Sequence, residues 1–240
     1  MISKNQLKYV RQLELKKYRK LEGLFVAEGP KVVGDLLAAG YVARQLFATT
    51  EWKGHHRQRQ DVSDDELRRL SFQQHPQQVL ALFELPAPTP CEDHHSGLAI
   101  ATDGIQDPGN LGTIIRIADW FAIPTIYCSE DTVDAYSPKV VQATMGSIAR
   151  VKIVSANLAD VIRRATVPTF ATLLDGNNIY NEQLPTDAII VMGNEGKGIS
   201  PTLRQLITNK LLIPPFQQGP DSLNVAVATA IVCSEFRRRV

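Results

Sequence analysis

From residue 98 onward, short apolar runs alternate with segments of helical spacing, and no other feature of the chain constrains its fold as tightly. Strands are predicted near residues 98–102, 125–128, 169–174, 188–192 and 211–213. Helices are predicted near residues 109–121, 138–144, 157–165, 200–207 and 222–238. A strand that is apolar along its whole length is buried on both faces, so the alternation predicts an α/β fold with a mainly parallel sheet covered by helices. Ligands of such sheets gather where loops leave the carboxyl ends of the strands.

The first part of the chain carries the same alternation in a smaller unit. Residues 3–21 are predicted to form one helix, with Leu7, Val10, Leu13 and Leu21 near helical spacing. Lys4, Lys8, Arg11, Lys16, Lys17, Arg19 and Lys20 occupy the remainder, which makes this a locally basic element. A strand at 24–27 follows Gly23, and Gly29-Pro30 opens a helix to about residue 39. Another strand is expected at 43–49. Ser63 and Glu66 form a capping box before Leu67 and Leu70, ahead of a strand at 79–83. Residues 85–97 contain Pro86, Pro88 and Pro90 and little apolar material, which reads as a semi-rigid connector. The division expected is a domain of residues 1–93 and a second of residues 94–240.

Composition excludes several classes. The 240 residues contain 26 Lys+Arg and 25 Asp+Glu, a net charge of +1, so any basic surface is local. Three cysteines, Cys91, Cys128 and Cys233, with no CxxC spacing, argue against a disulfide-stapled module and a cysteine-rich zinc site, and fit a cytoplasmic protein. The charged first 20 residues lack a signal-peptide core, and no run approaches the about 18 apolar residues of a membrane span. His55-His56 and His94-His95 lack a second ligand pair at zinc spacing and read as solvated loop residues; no metal is expected. Trp52 and Trp120 read as packing residues.

Three loops follow three of the predicted strands. The first is Asp103-Gly-Ile-Gln-Asp-Pro-Gly-Asn-Leu-Gly-Thr-Ile-Ile-Arg116, the second Met192-Gly-Asn-Glu-Gly-Lys-Gly-Ile-Ser200, and the third Ile213-Pro-Pro-Phe-Gln-Gln-Gly-Pro-Asp-Ser-Leu-Asn-Val-Ala226. No GxGxxG follows the strand at 98–102, and the second loop lacks the contiguous Gly-Lys-Ser/Thr of a phosphate loop, so ordinary dinucleotide or ATP use is disfavoured.

In this order and spacing the loops resemble the three motifs of the SpoU/TrmH branch of the SPOUT methyltransferases, and the resemblance extends over most of the chain. Asn110 and Arg116 stand at the hallmark positions of the first motif, Gly193-Asn-Glu-Gly196 with Gly198 resembles the second, and Ile213-Pro214 with Ser222-Leu-Asn-Val-Ala226 the third. Residues Leu24-Phe-Val-Ala-Glu-Gly-Pro-Lys31 resemble the start of the ribosomal-protein-like substrate-binding domain that many members carry. Gln78 stands where many relatives have glycine.

The resemblance implies a small amino-terminal α/β RNA-binding domain and a carboxy-terminal SPOUT domain with a deep trefoil knot, usually part of a homodimer interface. It implies transfer of a methyl group from S-adenosylmethionine to a ribose 2'-hydroxyl of ribosomal or transfer RNA, with no membrane partner. The competing reading is a non-catalytic RNA-binding protein that retains the fold. By the same resemblance the cofactor is held near Thr172, Leu173, Gly193, Ile213 and Leu223, and the catalytic set is Asn110, Arg116, Glu195, Ser222 and Asn224. A guanidinium stays protonated, so Arg116 is expected to clamp the target phosphate and stabilise the alkoxide, not to act as a base. Asn110 and Asn224 are expected to pair through their amides, and Glu195 to hold Arg116. Glu195 and Ser222 read equally well as a loop brace and a helix cap. The basic helix and the run Arg237-Arg-Arg239 are candidate phosphate contacts, the latter reading also as a charged helix end.

Overall fold

The computed structural model describes residues 1–88, 93–217 and 222–238. The chain divides into two compact units. The first comprises Met1–Ala87 with Asp134–Arg150, and the second comprises Pro88–Val133 with Val151–Val240. Residues expected within the carboxy-terminal domain therefore pack in the first unit.

In the first unit the basic segment is two helices, not one: α1 (Lys4–Gln12) and α2 (Lys16–Glu22). Ser3 and Gln6 form a reciprocal capping box at the start of α1. The break at Leu13 and Glu14 is held by Arg19, which folds back to donate to the carbonyls of Leu13 (2.8 Å) and Glu14 (2.7 Å) and pairs with Asp134. Only 2% exposed, Arg19 does not belong to the basic face, whereas Lys4, Lys8, Lys16, Lys17 and Lys20 are exposed. Gly23 closes α2 in the left-handed region at φ 64°, where a side chain would be strained.

The sheet of this unit has the order β1-β4-β2-β3. Strand β4 (Val79–Glu84) is central and antiparallel to both β1 (Leu24–Glu28) and β2 (Ala43–Ala48). The short strand β3 (Arg59–Asp61), not foreseen because its three residues are all polar, extends the edge in parallel with β2. Helix α3 (Pro30–Ala38) follows β1, and α4 (Asp64–Leu70) has the expected capping box. Helix α6 (Pro138–Ala143) packs on β1, and Val141 and Ile148 join Phe25, Val33, Leu36 and Trp52 in one core. Gln78 adopts φ 53°, the left-handed geometry that glycine would take without strain.

The second unit is built on a six-stranded sheet, order β10-β8-β9-β5-β6-β7, in which every neighbouring pair is parallel. The strands are β5 (Leu98–Asp103), β6 (Thr125–Cys128), β7 (Lys152–Ser155), β8 (Thr169–Asn178), β9 (Ala188–Gly193) and β10 (Asn209–Leu212). Strand β7 was not foreseen: it is short, lies at the edge and exposes Lys152 and Ser155 at its two ends. Helices α5 (Pro108–Trp120), α7 (Leu158–Arg164), α8 (Pro201–Leu206) and α9 (Val225–Arg238) complete the unit. All of β5 is buried. From β5 the chain moves outward to β6 and β7, then returns on the other side through β8 and β9. The loops after β5 and β9 are thus neighbours at a switch point, where parallel sheets open a crevice.

Candidate active site

The loop after β5 turns at Gly104, in the left-handed region at φ 69°, and enters α5 through Asp107, whose carboxylate accepts from the Asn110 backbone at 2.8 Å. Pro108 occupies the first turn, where its missing N–H is not needed. This fixes Asn110 at the start of α5, facing two other loops. Its Nδ2 donates to Glu195 Oε1 at 2.8 Å, and its Oδ1 accepts from Asn224 Nδ2 at 2.9 Å. One amide thus ties the three motif loops together. Asn224 in turn caps α9, its Oδ1 accepting from the backbones of Ala226 (2.9 Å) and Val227 (3.3 Å).

Two expectations change here. Glu195 holds Asn110, not Arg116; Arg116 is exposed on α5 without a hydrogen-bond or ion-pair partner among the described residues. The residue that caps α9 is Asn224, not Ser222, because the helix begins at Val225. Ser222 is exposed and lines the cleft described below.

The second loop is shaped by a residue that sequence reasoning passed over. Asn194 donates through Nδ2 to the Gly104 carbonyl at 2.7 Å, and its Oδ1 accepts from the backbones of Gly196 and Lys197, both at 2.9 Å. It couples the second loop to the first, and the Asn-x-Gly turn chemistry was the available signal. Asp103 does similar work at the end of β5, accepting from the Ser200 backbone at 2.7 Å.

A cleft of about 840 Å³ opens beside these loops, within the range of small-molecule sites. Thr172, Leu173, Gly193, Ile213 and Leu223, the expected cofactor residues, all line it, as do Glu195 and Ser222, whereas Asn110, Arg116 and Asn224 are not among its walls. Its floor is apolar, with Met192, Leu211 and Ala228 joining Leu173, Ile213 and Leu223. Gly193 is required by close backbone approach: a Cβ there would sit 2.5 Å from the Gly198 carbonyl carbon. At the rim, Asp175 is held below the usual carboxylate range, chiefly by the Lys210 hydrogen bond, with Arg204 and Lys210 adding opposite charge.

Helices α5 and α9 run side by side from this site. Their starts are joined by Asn110 and Asn224, and in the last turn of α9 Arg237 donates to the carbonyls of Phe121 (2.8 Å) and Ala122 (2.9 Å), just past the end of α5. Arg237 is thus a brace between helices and Arg238 pairs with Glu235, while Arg239 lies outside the described residues. Trp120, expected to pack, is instead 85% exposed at the end of α5. Trp52 does pack. His94 is buried, its Nε2 3.0 Å from the Gly97 carbonyl, so it braces the start of β5 and is not solvated. Cys91 lies outside the described residues. Among the described residues no helix is long and apolar enough to cross a membrane, and no group of three or more His, Cys, Asp or Glu is placed to hold a metal ion.

Residues 97–234 match the model of the SpoU rRNA Methylase family, and residues 4–81 match that of an MRM3-like substrate binding domain. The 23S rRNA (guanosine(2553)-2'-O)-methyltransferase RlmP of Bacillus subtilis is 28% identical, the match covering 98% of this chain and 97% of that protein. A solved structure from Porphyromonas gingivalis, assigned to the TrmH family of RNA methyltransferases, is 43% identical with a TM-score of 0.90 over the whole of both chains. The AdoMet-bound rRNA methyltransferase of Sinorhizobium meliloti is 31% identical with a TM-score of 0.89, covering 100% of this chain and 97% of that one.

Proposed function

The chain belongs to the SpoU rRNA methylase family, and from that premise we propose that it transfers a methyl group from S-adenosylmethionine to a ribose 2'-hydroxyl of RNA. The observation that carries this reading is the Glu195–Asn110–Asn224 chain, which gathers all three motif loops beside a cleft of cofactor size. When bound, the cofactor supplies a methyl group already activated on a sulfonium. The cleft suits it: apolar walls for an adenosine, and Gly193 leaving room where any Cβ would collide. Thr172, Leu173, Gly193, Ile213 and Leu223 would hold it.

The chemical difficulty lies with the nucleophile, since a ribose hydroxyl is a very weak acid. Arg116 would bind the phosphate of the target nucleotide and offset the negative charge that develops on the 2'-oxygen; its exposure and its want of a partner among the described residues support this role. Its planar fork of donors suits both tasks, and its proton is not available for exchange. The proton leaves to a phosphate oxygen or to water. Glu195 fixes the Asn110 amide, which orients the substrate.

The reading has four further parts. Residues 1–93 recognise RNA and residues 94–240 carry the catalysis; the substrate-binding match over residues 4–81 and the exposed lysines of α1 and α2 support this division. Ribosomal RNA is the substrate, by likeness to RlmP. The third loop is threaded as a trefoil knot, and the chain pairs as a homodimer; Trp120, 85% exposed on α5, is the kind of residue such an interface covers. The protein works in the cytoplasm, as its cysteine usage and bacterial relatives suggest. Incubating the full chain with S-adenosylmethionine and unmodified ribosomal RNA, then digesting to nucleosides for mass spectrometry, tests the activity. A 2'-O-methylated nucleoside is expected; RNA and cofactor bound without methylation would instead favour a non-catalytic RNA-binding protein.

A further inference from the structure

The rim of the cleft carries one feature that neither the motifs nor the methyl transfer uses. The charged residues lining the cleft are Asp175, Glu195, Lys197 and Arg204. Glu195 is engaged by Asn110, and Asn194 holds the Lys197 backbone, while the Lys197 ammonium has no hydrogen-bond or ion-pair partner among the described residues. Asp175 and Arg204 alone among the four form an opposite-charge pair, Arg204 Nη2 donating to Asp175 Oδ2 at 2.6 Å. Lys210, from β10, donates to the same oxygen at 3.0 Å. Two cations thus face one carboxylate, and the rim keeps an excess of positive charge. The rest of the Arg204 fork has no partner among the described residues. All three side chains are exposed, so the pair contributes little to folding and can turn toward a ligand.

Such a pair is the complement of an α-amino-acid zwitterion. An ammonium finds its acceptor in Asp175, and a carboxylate finds a forked donor in Arg204, with Lys210 keeping Asp175 ionised. Resting on the cofactor reading above, we infer that Asp175 and Arg204 recognise the amino-acid end of S-adenosylmethionine. They are therefore specificity residues that separate the intact cofactor from adenosyl compounds lacking that end. Sequence position gave no hint of this, because Asp175 and Arg204 come together only where β8 meets α8.

The test is titration calorimetry on the full chain with two ligands, S-adenosylmethionine and 5'-methylthioadenosine, which lacks the amino-acid end. Arg204→Gln should weaken the first about tenfold and the second by less than about twofold, with Asp175→Asn showing the same selectivity to a smaller degree. Thermal midpoints of the variants should match that of the parent. Equal loss for both ligands, or no loss for either, overturns the subsite while leaving the cofactor assignment standing. Failure of the unsubstituted chain to bind S-adenosylmethionine at all removes the cofactor reading and this inference with it.

Discussion

Two arginines show how differently the two units use one side chain. In the first unit Arg19 is 2% exposed, closes the break between α1 and α2, and pairs with Asp134 from a segment 115 residues away. In the second, Arg116 stands exposed on α5 with no partner among the described residues. The contrast extends beyond this pair. Glu28 is buried against Ser71 and Phe72, and Arg59 lies over Trp52 and donates to three loop carbonyls. In the second unit the Asn110, Asn224 and Glu195 side chains bond to one another at a crevice edge. Polar groups of the first unit complete its fold; those at the switch point of the second tie three loops together beside an open cleft. A site is recognisable by polar groups whose bonding leaves capacity for something else.

Breaking Arg19 should have the largest effect, and on stability alone. Arg19→Met removes the guanidinium partner of the half-buried Asp134 and the donors to the Leu13 and Glu14 carbonyls, which together typically cost about 3 kcal/mol. Urea unfolding should show that loss, while methyl transfer below the shifted midpoint stays near the parent rate. Equal loss of stability and turnover would erase the contrast between the units.

Arg116 should behave in the opposite way. Arg116→Ala and Arg116→Lys should both lower single-turnover methylation by about 100- to 1000-fold, with unchanged unfolding midpoints and cofactor affinity. Recovery of the lysine variant at alkaline pH, beyond any rise in the alanine variant, would mean that this position removes the proton directly.

Asn110→Ala releases Glu195 and Asn224 together, and should slow turnover by about 10- to 100-fold through misplacement of the loops. Because Asn224 still caps α9, stability should fall by less than about 1 kcal/mol. A double-mutant cycle with Glu195→Ala should be strongly non-additive, and additivity would show that the two side chains act separately.

The smallest effect is expected at Glu28, whose carboxyl is pushed above its ordinary 4.5 by burial, against the lowering influence of Ser71, Phe72 and Arg11. A raised folded-state value means that the folded protein holds the proton more tightly than the unfolded chain. The associated stability is full below the ordinary carboxylate value and is lost as pH rises through the folded one. Glu28→Gln should therefore gain on the parent as pH climbs from about 4.5, by no more than about 1.5 kcal/mol. Denaturant midpoints of both proteins across pH measure this, and a constant difference would show that folding does not shift the Glu28 carboxyl.

Much of the second unit was legible in the sequence because its requirements are local. Apolar runs mark β5, β6, β8 and β9, and the glycines at 104, 193 and 198 mark turns where side chains would strain or collide. Asn110 and Asn224 were legible through motif spacing. The elements that escaped notice depend on distant partners. Strands β3 and β7 are short, polar or half-exposed edges whose existence is fixed by their neighbours. Arg19 looked like one more lysine-rich surface residue until Asp134 arrived beside it. Trp120 looked like core because tryptophan usually is, but its place near the end of α5 turns it outward.

The entry of Asp134–Arg150 into the first unit bears on how the chain is born. A ribosome releases Met1–Ala87 well before the residues that supply Val141 and Ile148 to their core and Asp134 to Arg19. Some 63 residues lead from position 87 to position 150, which at about 5–20 residues per second is a wait of roughly 3 to 13 s. During that interval the nascent amino-terminal sheet lacks part of its cover, and an arginine destined for burial has no counter-charge. The amino-terminal unit therefore cannot complete its core as soon as its own sheet is made, and its completion is timed by the synthesis of β5, α5 and β6, strands and a helix that belong to the other unit.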